Sequence, residues 1–156
     1  MAKIDCSTAP VRRGSSYPAP HGAPCAARMR QALGDAGGLN DFGVNLLTLP
    51  PGIWSSQRHY HSAEDEFVYV LSGEVVLVTD AGEEILRAGD CAAFPKGSAN
   101  GHHLVNRSAA AAQCLEVGTR AADDVTVYPD IDMMIGPATG WYAHRDGALY
   151  PKPPEA

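Results

Sequence analysis

Two histidines and a nearby glutamate are the residues of this chain whose types and spacing could hold a metal ion. His59 and His61 are separated by one residue, and Glu66 follows five positions later. Side chains alternate along an extended strand, so both imidazoles would project to the same face, about 6–7 Å apart. The odd spacing to Glu66 requires a turn, which the polar segment 62–65 could supply. Two imidazoles and a carboxylate are typical ligands of a divalent metal.

Composition and charge favour one soluble domain that binds neither nucleic acid nor membrane. The chain has 156 residues, 45% of them hydrophobic and 19% charged, which is enough apolar sequence to bury a core. The formal net charge of −6 argues against a nucleic-acid surface, which is usually basic. The first residues contain no apolar run typical of a signal peptide or a membrane span. We therefore expect a cytoplasmic protein.

The cysteines show no close-pair spacing of the kind that zinc ribbons use, and nothing in their positions predicts a disulfide. Cys91 and Cys114 lie in apolar, strand-like runs, where a free thiol behaves as a small hydrophobic residue. We expect both to be buried in the core. The remaining cysteines are Cys6 and Cys25.

The order of turn formers and apolar runs predicts an all-β protein in three parts. Residues 1–40 are rich in Gly and Pro and are predicted to form an irregular N-terminal arm, in which 26–33 is either a short helix or extended. Short strands then recur about every ten residues, as in a β-sandwich or barrel. This barrel core is expected at 41–120, followed at 121–156 by a C-terminal strand and loops. Strands are predicted at 42–49, 57–61, 67–71, 74–79, 84–86, 91–94, 102–106 and 113–117.

Two sequence blocks resemble the motifs of the cupin family. The first runs from Gly52 through His59, His61 and Glu66 to Gly73, and the second begins at Gly89 and includes the segment Pro95-Lys96-Gly97. Fifteen residues, 74–88, separate the blocks. The resemblance covers residues 44 to about 117 and is to small bacterial single-domain cupins. It implies a double-stranded β-helix, or jelly-roll barrel, with a metal inside.

The second block departs from the family pattern at its histidine. The position where the family has this residue is Asn100, and two histidines follow it, His102 and His103. Adjacent strand residues face opposite ways, so only one could reach an interior metal. His102 is four residues before Asn106, which is the family's spacing, and we prefer it as the fourth ligand. A bulge in the preceding loop would reverse this choice.

The predicted ligand set is therefore His59, His61, Glu66 and His102, around a divalent transition metal such as Zn, Fe, Mn or Ni. Four protein ligands leave open positions where a small molecule could bind. Glu64 and Asp65 are expected to face solvent in the turn.

The resemblance leaves several functions open. The first hypothesis is a metal-dependent enzyme that acts on a small organic molecule, such as a dioxygenase or an isomerase. The alternatives are a non-catalytic binder or sensor of a small metabolite or sugar, and a structural barrel whose histidines are residual. We also expect a homodimer, because apolar residues should lie on outward strand faces. These residues are Phe67, Tyr69, Val75 and Leu77.

Overall fold

The computed structural model describes residues 3–152, and short antiparallel strands make up most of its regular structure. The strands are β1 (Val11–Arg13), β2 (Met29–Ala32), β3 (Phe42–Leu49), β4 (Tyr60–His61), β5 (Glu66–Ser72), β6 (Glu74–Thr79), β7 (Gly82–Arg87), β8 (Cys91–Phe94), β9 (His103–Val105), β10 (Ala112–Thr119), β11 (Thr126–Tyr128) and β12 (Met133–Ile135). The helical elements are one-turn α1 (Leu33–Ala36) and the 3-10 turns Cys6–Thr8 and Ala23–Cys25.

The strands form three sheets that enclose a barrel. A six-stranded sheet has the order β1-β2-β3-β10-β5-β8, and two three-stranded sheets have the orders β7-β6-β9 and β12-β11-β4. Neighbouring strands are antiparallel throughout these sheets. The predicted all-β jelly-roll fold is confirmed.

A tight turn at Gly73 joins β5 to β6. Its φ of +77° lies in the left-handed region, where a residue with a side chain is strained. A Cβ atom here would also lie 2.9 Å from the Cα of Ala112. Both constraints favour glycine, so the hairpin that the sequence pattern predicted depends on this residue.

The barrel interior is apolar at one end and polar at the other. On β3 and β10, alternate side chains such as Leu47, Leu49 and Cys114 are fully buried in the main core. Farther along β10, Glu116 faces the same interior but lines a cavity. Alternate residues of a strand share one face, so the same face of β10 contributes to the apolar core at Cys114 and to the cavity wall at Glu116.

The N-terminal arm contains more regular structure than predicted. β1 pairs with β2, and β2 pairs with β3, so the arm extends the six-stranded sheet. The segment 26–33 was predicted to be either a short helix or extended. Residues 29–32 are extended in β2, and a helical turn begins only at Leu33.

Several predictions of side-chain exposure are wrong. Val75 and Leu77 are buried in the barrel core, because β6 presents this face to the six-stranded sheet. Phe67 and Tyr69 do face outward, with 38% and 39% of their surfaces exposed. Cys91 is exposed rather than buried. The homodimer stays a prediction.

The C-terminal part adds two short strands and a second, smaller core. Its buried residues are Tyr128, Met133 and Tyr142, against which Tyr17 of the arm packs. Within residues 3–152, no helix has the length and apolar character needed to cross a membrane.

Candidate metal centre and cavity

Strand pairing brings the two histidine segments together. His59 and His102 form an isolated antiparallel bridge, with backbone N–H to O distances of 3.1 and 2.8 Å. His61 lies in β4, and Glu66 is the first residue of β5 after the intervening turn. The predicted strand 57–61 is shorter than expected, because only Tyr60–His61 form a ladder.

The four predicted site residues meet at the carboxylate of Glu66. Its Oε2 lies 3.6 Å from His59 Nε2, 3.4 Å from His61 Nε2 and 3.0 Å from His102 Nε2. One ligand atom from each of His59, His61 and Glu66 can be chosen so that all three lie within 4.8 Å of one another. Three imidazole nitrogens therefore surround one carboxylate.

Neighbouring oxygens orient the two histidines of the first block. His59 Nδ1 lies 2.9 Å from the carbonyl oxygen of Gln57, and His61 Nδ1 lies 2.7 Å from Asp124 Oδ2. A carbonyl or carboxylate oxygen can only accept, so each Nδ1 carries the hydrogen. In the neutral rings each Nε2 then presents its lone pair toward Glu66.

His102 and His103 occupy different environments. The ring of His102 stacks on Phe94 at 3.5 Å between centroids, and its buried Nδ1 has no hydrogen-bond partner among residues 3–152. His103 lies on the other side of the strand, where its Nδ1 is 3.0 Å from the carbonyl oxygen of Ser56 and its ring meets Trp54 edge-on. His103 therefore does not reach the interior cluster, as the alternation of strand residues predicted, but it is buried against the loop before His59 and does not face solvent.

Burial and hydrogen bonds shift the pKa values of the cluster in opposite directions. Burial raises the pKa of Glu66, but the hydrogen bond from His102, together with the effects of the adjacent His59 and His61, outweighs this and holds that pKa well below its usual range. Burial lowers the pKa of His102, and the Glu66 carboxylate offsets this only in part. The arrangement favours an ionised carboxylate beside a neutral imidazole, which is the protonation state that metal ligands require.

Two carboxylates beside His61 were not predicted as site residues. Asp124, which precedes β11, accepts from His61 and also from the Ala63 N–H at 2.8 Å. Burial raises the pKa of Asp124, yet these hydrogen bonds leave it below its ordinary value. Glu64 lines the cavity and accepts from Ala121 N–H at 2.9 Å, so its predicted exposure to solvent is wrong. Asp65 is exposed, as expected.

A cavity of about 780 Å³ opens from the cluster toward the N-terminal arm. Its polar lining includes arginines and tyrosines that the motif search did not identify. The clearest sequence signal was Arg28-Met29-Arg30, since alternate residues of a strand share a face. The arginines and tyrosines of this lining are Arg12, Arg13, Arg28, Arg30, Arg120, Tyr17, Tyr128 and Tyr142.

Comparison with known proteins agrees with the fold and the motifs. The cupin domain profile matches residues 45–118. A crystal structure from Silicibacter pomeroyi, described as a sugar phosphate isomerase from a cupin superfamily, is 47% identical to this chain. The TM-score is 0.89, and the alignment covers 95% of this chain and 96% of that one. This chain belongs to the cupin superfamily.

Two other solved structures share the fold at lower identity. A proposed sugar phosphate isomerase from Acidithiobacillus ferrooxidans is 34% identical with a TM-score of 0.70, covering 76% of this chain and 75% of that one. A proposed oxalate decarboxylase from Thermotoga maritima is 22% identical with a TM-score of 0.62, covering 77% and 100% of the two chains, and indicates the fold alone. Among curated proteins, none matches this sequence.

Proposed function

We propose that this cupin is a metal-dependent isomerase of a phosphorylated sugar. The observation that carries the proposal is the single cavity that joins the histidine–carboxylate cluster to a wall containing arginines. The cluster suits the reacting carbonyl and hydroxyl groups, and the arginines suit a phosphate. The similarity to two proteins described as sugar phosphate isomerases supports the same substrate class.

The orientation of the histidines supports a cation at the cluster. The lone pairs of His59 and His61 face Glu66 Oε2 at 3.6 and 3.4 Å, although a carboxylate has no hydrogen to donate to them. A divalent cation among these atoms would convert mutual repulsion into coordination. With His102, the donor set suits Zn, Fe, Mn or Ni. When bound, such an ion polarises a carbonyl or hydroxyl oxygen and stabilises negative charge on it.

The cavity can accommodate and orient a sugar phosphate. Its volume of about 780 Å³ lies within the range of about 300–1,000 Å³ that is usual for small-molecule sites. Tyr17, Tyr128 and Tyr142 line the cavity on the side of the arm and the C-terminal core, and tyrosine hydroxyl groups can donate to and accept from sugar hydroxyls. We infer that the carbonyl end of the sugar lies at the histidine cluster.

Glu64 is our candidate for the proton-transferring residue. Aldose–ketose isomerisation through an enediol moves a proton from the hydroxyl-bearing carbon beside the carbonyl to the carbonyl carbon, while the proton of that hydroxyl passes to the carbonyl oxygen. Of the described cavity carboxylates, Glu66 belongs to the cluster, Glu116 pairs with Arg30 and Asp35 pairs with an arginine. Glu64 has no arginine partner within residues 3–152 and lies beside the cluster, 3.7 Å from His61 Nδ1. It is therefore the carboxylate best placed to take and return that proton.

The first test is metal binding. Protein purified without chelators should contain a divalent transition metal by elemental analysis. H102A should lower the metal affinity, whereas H103A should retain it, because only His102 reaches Glu66. Equal metal affinity for the two variants would contradict this ligand set.

The second test is activity. Metal-loaded protein is incubated with a panel of pentose and hexose phosphates, and aldose–ketose interconversion is followed by ¹³C NMR. We expect turnover, and we expect E64Q to lower kcat by about 100-fold or more without changing the metal content. E84Q is the matched control, because Glu84 is exposed on β7 outside the cavity. Recovery of every sugar phosphate unchanged from the loaded protein would contradict the isomerase and favour a non-catalytic binder.

A further inference from the structure

Three arginines share one face of the ribbon formed by β1 and β2. Arg12 is the direct cross-strand partner of Arg30, and Arg28 lies two residues before Arg30. All three line the cavity. Like charges placed opposite each other in an antiparallel pair are destabilising, so this arrangement requires an explanation.

Only one of these cations has an anionic partner in the part of the chain that the structure describes. Arg30 Nε lies 2.8 Å from Glu116 Oε2, and this pair is partly buried. Arg28 donates to the backbone carbonyls of Gly14 (2.7 Å) and Ser55, which carry no net charge. Arg12 has no carboxylate within 4.0 Å among residues 3–152. Arg12 and Arg28 therefore present two uncompensated positive charges to the cavity, and Arg13 of β1, which also lines it and has no carboxylate within 4.0 Å among the described residues, adds a third.

The arginine face connects directly to the histidine cluster. The loop that accepts from Arg28 at Ser55 continues to Ser56, whose hydroxyl lies 3.2 Å from His59 Nδ1. One short segment thus links the cationic wall to the predicted metal ligands. A ligand that lies across the cavity can contact both.

We propose that Arg12 and Arg28 form the subsite for the phosphate group of the substrate. This assignment rests on the proposed function. The guanidinium group is a planar fork whose parallel N–H groups match the geometry of phosphate oxygens. A phosphate dianion here would neutralise the charges that Glu116 does not balance. Arg28 also holds the arm to the loop at Ser55, so Arg12 is the better residue to substitute.

The experiment uses a probe that cannot isomerise. Ribitol 5-phosphate and ribitol, which both lack a carbonyl group, are titrated into metal-loaded protein by isothermal calorimetry. We expect the phosphorylated compound to bind at least about 10-fold more tightly in the wild type, since charge-assisted hydrogen bonds are roughly twice as strong as those between neutral groups. R12Q should bind ribitol 5-phosphate about 10-fold or more weakly than the wild type does, and should bind ribitol with unchanged affinity.

Two further variants serve as controls. R12K keeps the charge but loses the fork, and should bind between the wild type and R12Q. R87Q removes an equal charge at an exposed arginine that pairs with Glu74 outside the cavity, and should bind like the wild type. Thermal melting should show R12Q folded, because Arg12 is exposed on an edge strand.

Two results would overturn the subsite: wild-type protein that binds both compounds equally, or R12Q that retains the preference for phosphate. Failure of the proposed function looks different. An Arg12-dependent preference for ribitol 5-phosphate, together with no turnover of any sugar phosphate, would support the subsite and reject the isomerase.

Discussion

Replacing Asp124 with asparagine tests how the cluster is oriented. Asp124 accepts from His61 Nδ1 at 2.7 Å through Oδ2 and from the Ala63 N–H at 2.8 Å through Oδ1, with longer hydrogen bonds from the hydroxyl groups of Ser62 and Thr126, so His61 and Ala63 use different oxygens. Asparagine has one amide oxygen and can serve only one of them. If His61 loses its acceptor, its ring is no longer held with Nε2 toward Glu66. The loss of such an outer partner typically costs about 10–100-fold in metal affinity, or about 1.4–2.7 kcal/mol.

The assay is a competition between the protein and a chromophoric zinc chelator, which yields the dissociation constant of each variant. D123N is the matched control, because Asp123 is the exposed neighbour of Asp124. We expect D123N to bind zinc like the wild type and D124N to bind it at least about 10-fold more weakly. Wild-type affinity in D124N would refute the orienting role. So would equal losses of melting temperature with and without zinc, which would indicate a purely structural residue.

Three further predictions concern stability and reactivity. G73A should lower the free energy of unfolding, measured in urea, by at least about 1 kcal/mol more than the control G52A. Both glycines have a positive φ, but only Gly73 lacks room for a Cβ atom, so equal losses in the two variants would contradict this reasoning. Iodoacetamide at pH 8 should spare the buried Cys25 and Cys114, since burial raises both thiol pKa values, that of Cys114 to about 12; rapid labelling of either would refute its burial. The thiols that should react are the exposed Cys6 and Cys91. Hydrogen bonds from Arg58 lower the pKa of Asp130 below its ordinary 3.8. The ionised carboxylate therefore stabilises the folded protein fully above pH 3.8, and this stabilisation is lost as the pH falls through the pKa of Asp130 in the folded state. D130N should therefore show a shallower loss of unfolding free energy below pH 4 than the wild type, and equal slopes would contradict the shift.

The barrel was predictable from local patterns because each short strand alternates in hydrophobicity between turn formers. The hairpin at Gly73 is the clearest example, since runs of β-branched and aromatic residues on both sides of one glycine turn specify it. Exposure was harder to predict. Val75 and Leu77 were predicted to face outward, but both are buried. Both faces of β6 carry apolar side chains, so the alternation of residues along the strand does not show which face the rest of the protein covers.

The arm was the least predictable part of the fold. Its glycines and prolines indicated irregular structure, yet β2 pairs with β3 and β1 pairs with β2, which extends the sheet. Strands of three or four residues carry almost no periodicity, so their pairing depends on a neighbouring edge that lies elsewhere in the chain.

Local alternation and one turn were enough to group His59, His61 and Glu66 from the sequence, and the resemblance to the second cupin motif added His102. Only the tertiary structure brought Asp124 behind His61 and placed Arg12 and Arg28 across the same cavity. Those residues come from segments far apart in the chain, and no local spacing relates them. Closure of the barrel decides which of them meet, since it turns distant strand positions into neighbours.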